Sequence, residues 1–252
     1  MNKMQTLLTT IVLLFGINST GFTSSNDRLE NLFKENIVKA KQGDARAQAT
    51  IGLLYAAGEG VEQNDKKAVE WYRNSAKQGD ALAQSLLGEM YAKGKGVTKN
   101  NKKAVEWYRK SAEQGYSQGQ LNLGIFYYQG KITLKDTKKG TLLIKKSAEQ
   151  GNSVAQLILG QIYFLRWADI SVPRTKPNTE DFDNSIKWYA KAAEQGEPEA
   201  QERLAFFYAS GLGLEKNLSK AKELIEKAFE NGDSNIRDSA RKTWDTYELW
   251  NY

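Results

Sequence analysis

Ser239 and Lys242 stand three residues apart in Ser239-Ala240-Arg241-Lys242, the S-x-x-K spacing at which an acyl-transfer enzyme carries its serine nucleophile. Such an enzyme also needs SDN and KTG motifs, and neither occurs in the 252 residues. Glu180 and Asp181 are adjacent carboxylates, the residue type of general acid–base catalysis, but they lie in a polar stretch where solvation and helix capping account for them. The chain has no His and no Cys. That removes the commonest general base, the thiolate nucleophile and two of the main metal ligands. The sequence therefore predicts no catalytic residue, no cofactor and no metal.

Any residue that acts must be held by the repeat that dominates the chain. The octapeptide KKAVEWYR occurs at 66–73 and again at 102–109. Gly43, Gly79, Gly115, Gly151, Gly196 and Gly232 mark five units, separated by 36, 36, 36, 45 and 36 residues. Self-similarity at such a period means stacked structural units. Each unit reads as two helices of about 13 residues, roughly 20 Å long. In the first unit helix A runs from about Asp44 to Ala57 and helix B from about Asp65 to Gln78, joined by the turn GEGVEQN.

The glycines are placed to end helices in a left-handed residue. Asn64, Asn100, Asp136, Asp181 and Asn217 form an N-cap column before helix B. On a helical wheel helix B puts Ala68, Val69, Trp71, Tyr72, Ser75 and Ala76 on one side and Lys66, Lys67, Glu70, Arg73, Asn74 and Lys77 on the other. Helix A groups Ala47, Ile51, Leu54 and Tyr55 as core, with equivalent apolar residues in the later units. Gly52, Gly88, Gly124 and Gly160 sit mid-helix, where Gly costs about 1 kcal/mol relative to Ala; close helix approach is the expected reason. Gln48, Gln84, Gln120, Gln156 and Gln201 form a column of amides expected to tie helix A to neighbouring backbone.

The pattern AxAQxxxGxxYxxGxGVxxNxxxAxxWYxxSAxQG, clearest in AQATIGLLYAAGEGVEQNDKKAVEWYRNSAKQG and AQSLLGEMYAKGKGVTKNNKKAVEWYRKSAEQG, resembles the Sel-1-like repeat family, relatives of tetratricopeptide solenoids. The resemblance covers residues 40–232. It implies an all-α fold: a right-handed α/α solenoid of five antiparallel helix-pair repeats with capping helices, the A helices lining the concave side. The expected organisation is a signal peptide over 1–25, an N-terminal capping helix at 26–42, repeats at 43–78, 79–114, 115–150, 151–195 and 196–231, and a C-terminal capping helix at 233–252. The third unit departs from the pattern with Leu143 and Ile144 in place of WY and a loop reading Gly130-Lys131-Ile132-Thr133. The fifth has Leu224 and Ile225 at the WY position. The fourth gains a segment at 166–182 containing Trp167, Pro173 and Pro177; it either tethers a partner or is a tolerated insertion. Trp244, Tyr247 and Trp250 are expected to shield the C-terminal end.

Members of this family mostly serve as interaction scaffolds, so the resemblance implies a non-catalytic adaptor with a protein partner. Narrower roles that fit are an immunity protein neutralising a secreted type VI effector toxin and a host-interacting virulence factor. Some members have been linked with penicillin binding or β-lactam hydrolysis, which is why Ser239 matters; the missing partner motifs argue against it here.

Recognition should use exposed helix-A positions that vary between units. The wheel selects the positions equivalent to 46, 50, 53 and 57, including Arg46, Thr50, Leu53 and Ala57 in the first unit. The partner-binding candidates are Leu82, Leu86, Glu89, Gln118, Asn122, Ile125, Val154, Ile158, Gln161, Leu165, Trp167, Arg203 and Phe206. An apolar patch with a polar rim suits a protein contact; the alternative is that a tightly curved solenoid packs these side chains against its own neighbouring A helices.

The first residues give a short n-region with Lys3, an apolar run from Leu7 to Ile17 and then small polar residues, the layout of a secretory signal. The run is too short to span a bilayer, which needs about 20 residues. Periplasmic or secreted localisation is expected, with an uncleaved anchor as the alternative. With no Cys, a lipoprotein anchor is excluded. Cleavage leaves 35 basic and 30 acidic side chains, their signs interleaved, which argues against a nucleic-acid partner. The column of Lys66/Lys67, Lys102/Lys103 and Lys138/Lys139, with Arg73, Arg109 and Lys145, reads as a solvated outer face or as an attraction for an anionic partner.

Overall fold

Helix A of the first repeat runs Ala45–Ala57 and helix B Asp65–Lys77 in a computed structural model that describes residues 25–130, 136–169 and 179–252. In chain order the helices are α1 (Ser25–Lys41), α2 (Ala45–Ala57), α3 (Asp65–Lys77), α4 (Ala81–Lys93), α5 (Asn101–Glu113), α6 (Ser117–Gln129), α7 (Thr137–Glu149), α8 (Ser153–Ala168), α9 (Thr179–Glu194), α10 (Pro198–Ser210), α11 (Leu218–Asn231) and α12 (Ser234–Thr246), followed by a 3-10 turn at Leu249–Asn251. Among the described residues there is no strand. The fold is an all-α solenoid repeat, with even-numbered helices of type A and odd-numbered helices of type B. The expected leader, Lys131 to Thr133 of the third loop, and Pro173 and Pro177 of the fourth-unit segment lie outside the described residues.

The chain divides into two compact units at Gln150/Gly151. In the first, α1 to α7 pack each on the next, and α4 also touches α6. In the second, α8 to α12 pack in the same succession, with α10 touching α12.

Local chemistry explains the helix ends. Asn64, Asn100, Asp136 and Asn217 each accept a hydrogen bond from the backbone N–H three residues on, at 2.9–3.0 Å, satisfying a first-turn amide that has no partner within its helix. The A helices are capped likewise by Asp44, Asp80, Asn152 and Asp233. Asp181 is a correction to the cap column. It lies inside α9, which starts at Thr179, and its buried carboxylate meets Arg166 Nε at 3.3 Å. Between helices A and B, Gly58 takes a left-handed conformation (φ 73°) and donates to Leu54 O, while Asn64 N–H closes the loop on Tyr55 O at 2.8 Å. Gly232 departs from its column: its φ is −77°, so it ends α11 without a left-handed residue.

Packing explains the mid-helix glycines. A Cβ on Gly52 would stand 2.5 Å from the Tyr72 ring, and one on Gly88 2.7 Å from Tyr108. Both tyrosines are buried, at 1% and 3% exposure, so α2–α3 and α4–α5 approach closely only because the A helix has no side chain there. The third unit solves the same contact with Gly124 against Ile144. Where the fifth unit has Ala205, its partner is the smaller Ile225, and both are fully buried.

The glutamine column is an internal ladder. Gln48 Nε2 donates to Ala40 O at 3.0 Å, Gln84 Nε2 to Ala76 O at 3.2 Å and Gln201 Nε2 to Ala193 O at 3.3 Å. Each bond pins an A helix to the end of the preceding B helix. At the C-terminal end Trp244 and Tyr247 pack on the second unit's core and Leu249 is buried. Trp250 does not share that role, being 53% exposed.

Candidate functional site

Four positions along α4, Leu82, Leu86, Glu89 and Lys93, fall at spacings of 4, 3 and 4 residues and so form one stripe. Gln118, Asn122, Ile125 and Gln129 form the matching stripe on α6. Leu82, Leu86, Glu89, Gln118, Asn122 and Ile125 are all half-buried. Gln118 Nε2 donates to Asn122 Oδ1 at 3.1 Å within α6, and Asn122 Nδ2 in turn donates to Ser85 Oγ of α4 at 3.4 Å. Glu89 pairs with Lys93 one turn on.

Between α4 and α6 lies a cleft of about 490 Å³ bounded by Glu89, Lys93, Lys99, Asn101, Gln118 and Asn122. Tyr108 and Phe126 also line it, their rings 5.6 Å apart and tilted at 58°. Burial pushes the Tyr108 phenol well above its ordinary pKa, and the nearby Glu89 charge adds to the shift. The phenol therefore stays neutral. The cleft offers carboxylate, ammonium, amide and aromatic groups.

In the second unit Val154, Ile158, Gln161 and Leu165 form the equivalent stripe on α8. Val154 is 43% and Leu165 60% exposed, while Ile158 and Gln161 are half-buried. Gln161 Nε2 donates to Glu199 Oε1 at 2.7 Å, tying α8 to α10. Arg203 is exposed with its Nε 3.6 Å from the buried Glu202 carboxylate.

Several of the wheel-selected positions, and Trp167, are partly or wholly buried. Thr50 is buried, with its hydroxyl donating to Arg46 O at 2.9 Å. Leu53 and Leu86 pack against the core around Tyr72 and Leu87. Phe206 packs on its own unit, 6.0 Å from the Phe207 ring and 6.3 Å from Tyr247. Trp167 is half-buried, its indole 4.4 Å from Phe182 and 5.5 Å from Phe164. These side chains have structural uses that the wheel alone did not reveal.

The Ser239 hydroxyl donates to Glu202 Oε1 at 2.9 Å. That is the repeat-equivalent of the Asn122–Ser85 contact, and it satisfies a buried carboxylate, while Lys242 on the same helix is exposed. Among the described residues no cluster of three or more metal-ligating side chains occurs, and no helix is long and apolar enough to cross a membrane.

Family comparison follows the same helix pairs. The Sel1 repeat matches five times, at residues 45–80, 81–116, 117–152, 153–197 and 198–233. This chain belongs to the Sel1 repeat family. Each Sel1 match begins two residues after a marker glycine. A Sel1 repeat protein from Oxalobacter formigenes is 30% identical with a TM-score of 0.70, over 83% of this chain and 58% of that one. The chain thus spans little more than half the length of that relative. Two immunity proteins from Pseudomonas aeruginosa share the fold at TM-scores of 0.50, with 18% and 16% identity, over 99% and 98% of this chain and 83% and 82% of theirs. No curated protein matches the sequence.

Sequence reasoning missed the part that Tyr108 and Phe126 play in the cleft. Both belong to core columns, and only the opening between α4 and α6 exposes their edges. Lys99 and Asn101, from the loop and start of the following B helix, gave no signal in a reading confined to A-helix positions.

Proposed function

We propose that this Sel1 repeat protein is a non-catalytic scaffold that binds a protein partner through A-helix surfaces. The cleft between α4 and α6 carries the reading: its mixed polar rim over two aromatic rings is a recognition surface with no machinery for bond cleavage. Val154 and Leu165 on α8 supply a second, apolar contact surface. Export to the periplasm is part of the proposal, supported by the apolar run Leu7 to Ile17 after Lys3.

The test is affinity capture from envelope extracts with the full chain, identification of the partner by mass spectrometry, and titration of the purified pair. Glu89→Lys with Gln118→Arg should weaken binding at least tenfold while helical circular dichroism is unchanged. Equal affinity of that folded variant for every captured protein would refute the cleft. N-terminal sequencing of the protein recovered from cells tests export, with an intact Met1 terminus counting against cleavage.

A narrower role within the same reading is immunity, supported by the likeness in fold to the two Pseudomonas aeruginosa immunity proteins. It requires the captured partner to be a toxin whose effect on cells this chain relieves when the two are produced together.

A further inference from the structure

Charge is distributed unevenly over the B helices. In the first unit α3, α5 and α7 carry twelve basic and five acidic side chains, a net of +7, whereas the A helices α2, α4 and α6 carry two basic and one acidic. The second unit's B helices, α9 and α11, carry five basic and seven acidic side chains. The excess is therefore specific to one face of one unit. Lys66, Lys102 and Lys138 occupy the same position in successive repeats and are all exposed; one to two turns on, Arg73 is half-buried and Arg109 and Lys145 are exposed. The equivalent positions recur on three successive B helices, so the cations form rows across three helices and not a line along one groove.

α7 adds a second feature. Where α3 and α5 have Glu70 and Glu106, α7 has Leu142, which is 54% exposed between Lys138 and Lys145. Its one acid, Glu149, is paired with Lys145 at 3.8 Å. On α5 the half-buried Trp107 lies beneath Lys110, whose Nζ is 4.5 Å from the ring centre. Apart from Asp27, Glu30 and Glu35 of the capping helix α1, the acids left on this face are Asp65, Glu70, Glu106 and Glu113, all on α3 and α5.

We propose that the B-helix face of the first unit, centred on α7, docks on an anionic lipid bilayer. Basic side chains near such a surface gain electrostatic attraction that falls off within a Debye length, and an exposed apolar side chain among them inserts at the headgroup boundary. A nucleic acid or other linear polyanion would use the cations but has no place for Leu142. A laterally extended patch also matches a surface better than a strand. Docking of this face leaves the A-helix cleft for a protein partner.

The experiment is co-sedimentation of the full chain with phosphatidylcholine vesicles, with and without phosphatidylglycerol, at low and high salt. Binding should require the anionic lipid and weaken with salt. Lys102→Glu/Lys138→Glu/Lys145→Glu should lower the partition at least tenfold, and Leu142→Asn should lower it severalfold with the charge intact. A control with the same charge change on the second unit, Lys187→Glu/Lys216→Glu/Lys242→Glu, should bind as the wild type does. Equal binding to uncharged vesicles, equal loss in the control, or tighter binding to duplex DNA than to anionic vesicles with Leu142→Asn silent would each overturn the assignment.

Discussion

Gln78 Nε2 donates to Gln48 Oε1 at 2.8 Å, and the bond recurs between Gln114 and Gln84 at 2.8 Å, Gln150 and Gln120 at 2.8 Å, and Gln195 and Gln156 at 2.7 Å. The donor closes one B helix and the acceptor belongs to the A helix of the same repeat. Each acceptor glutamine is buried, so the ladder satisfies amide oxygens that would otherwise be costly to desolvate.

The fifth rung is missing. Gln201 Oε1 is buried without a partner, and the donor column there holds Asn231, one methylene too short, whose Nδ2 donates to Lys227 O at 3.1 Å instead. Asn231→Gln should complete the ladder and stabilise the protein by about 1 kcal/mol, raising Tm by roughly 2–4 °C. Gln114→Ala, which leaves Gln84 Oε1 without its donor, should shift Tm in the opposite direction. An unchanged or lower Tm for Asn231→Gln in thermal denaturation would show that the unpaired oxygen is not a source of instability.

Gly88→Ala sets helix propensity against packing. Propensity favours Ala by about 1 kcal/mol, but the new Cβ would stand 2.7 Å from the Tyr108 ring, and overpacking a close contact costs about 1–3 kcal/mol. The variant should be destabilised. The fifth unit's Ala205–Ile225 pair indicates the rescue: Gly88→Ala with Tyr108→Ile should be more stable than the sum of the two single changes, by an interaction energy of about 0.5–3 kcal/mol. Urea titrations of the four proteins measure it, and strict additivity would show that the ring and the glycine do not restrain each other.

Periodicity made the helix pairs, the caps of most B helices and the close helix approach at the mid-helix glycines legible in the sequence, because each is repeated and each has a local cause; that the approach is to Tyr72 and Tyr108 came from the structure. What the sequence left open was the use of the outward A-helix positions, as a binding surface or as packing within the solenoid. Thr50, Leu53, Leu86 and Phe206 face outward on an isolated wheel, yet Leu86 is half-buried by its own unit's core and Phe206 meets Tyr247 of the end helix. Asp181 misled for a different reason: α9 begins before the column's usual start, so a residue of cap type lies inside the helix and pairs with Arg166. The lysine column held more than solvated charge, since Lys67, Lys103, Lys139 and Lys220 lie over the rings of Tyr55, Tyr91, Tyr127 and Tyr208 at 4.5–5.4 Å.

Glu59 is buried in the first A–B loop with Oε2 lacking a hydrogen-bond partner, and burial raises its pKa. A carboxyl whose folded pKa is raised is destabilising once it is ionised, above the folded value, and the penalty is absent where the group is protonated in both states. Glu59→Gln should therefore raise stability at neutral pH, with the gain disappearing below about pH 4. Equal gains at both pH values in urea titrations would assign the effect to shape and not to charge.

The chain has no histidine, so no side chain with an ordinary pKa near neutrality couples folding to pH there, and stability should be nearly flat from about pH 6 to 9. The alkaline limit is set by buried phenols. Burial raises Tyr72, Tyr108 and Tyr189 far above the ordinary tyrosine pKa; nearby carboxylates add to the shift, and at Tyr189 the Arg203 charge opposes it. A group whose folded pKa is raised contributes stability fully below its unfolded pKa and loses it as pH rises through the folded value. Lys220 has the same sign, because its hydrogen bond with Tyr208 raises its pKa. Tyr127 has the opposite sign: despite its burial, Arg109 and Lys139 lower its pKa, so its contribution is present above the unfolded value and lost as pH falls through the folded one. The raised groups outnumber it, and Tm should fall steeply above about pH 10. Absorbance at 295 nm should then show part of the tyrosine titration delayed until helicity collapses. A single complete titration near pH 10 with the helix signal intact would mean that these phenols ionise without unfolding the repeats, and would overturn the assignment of the alkaline limit to them.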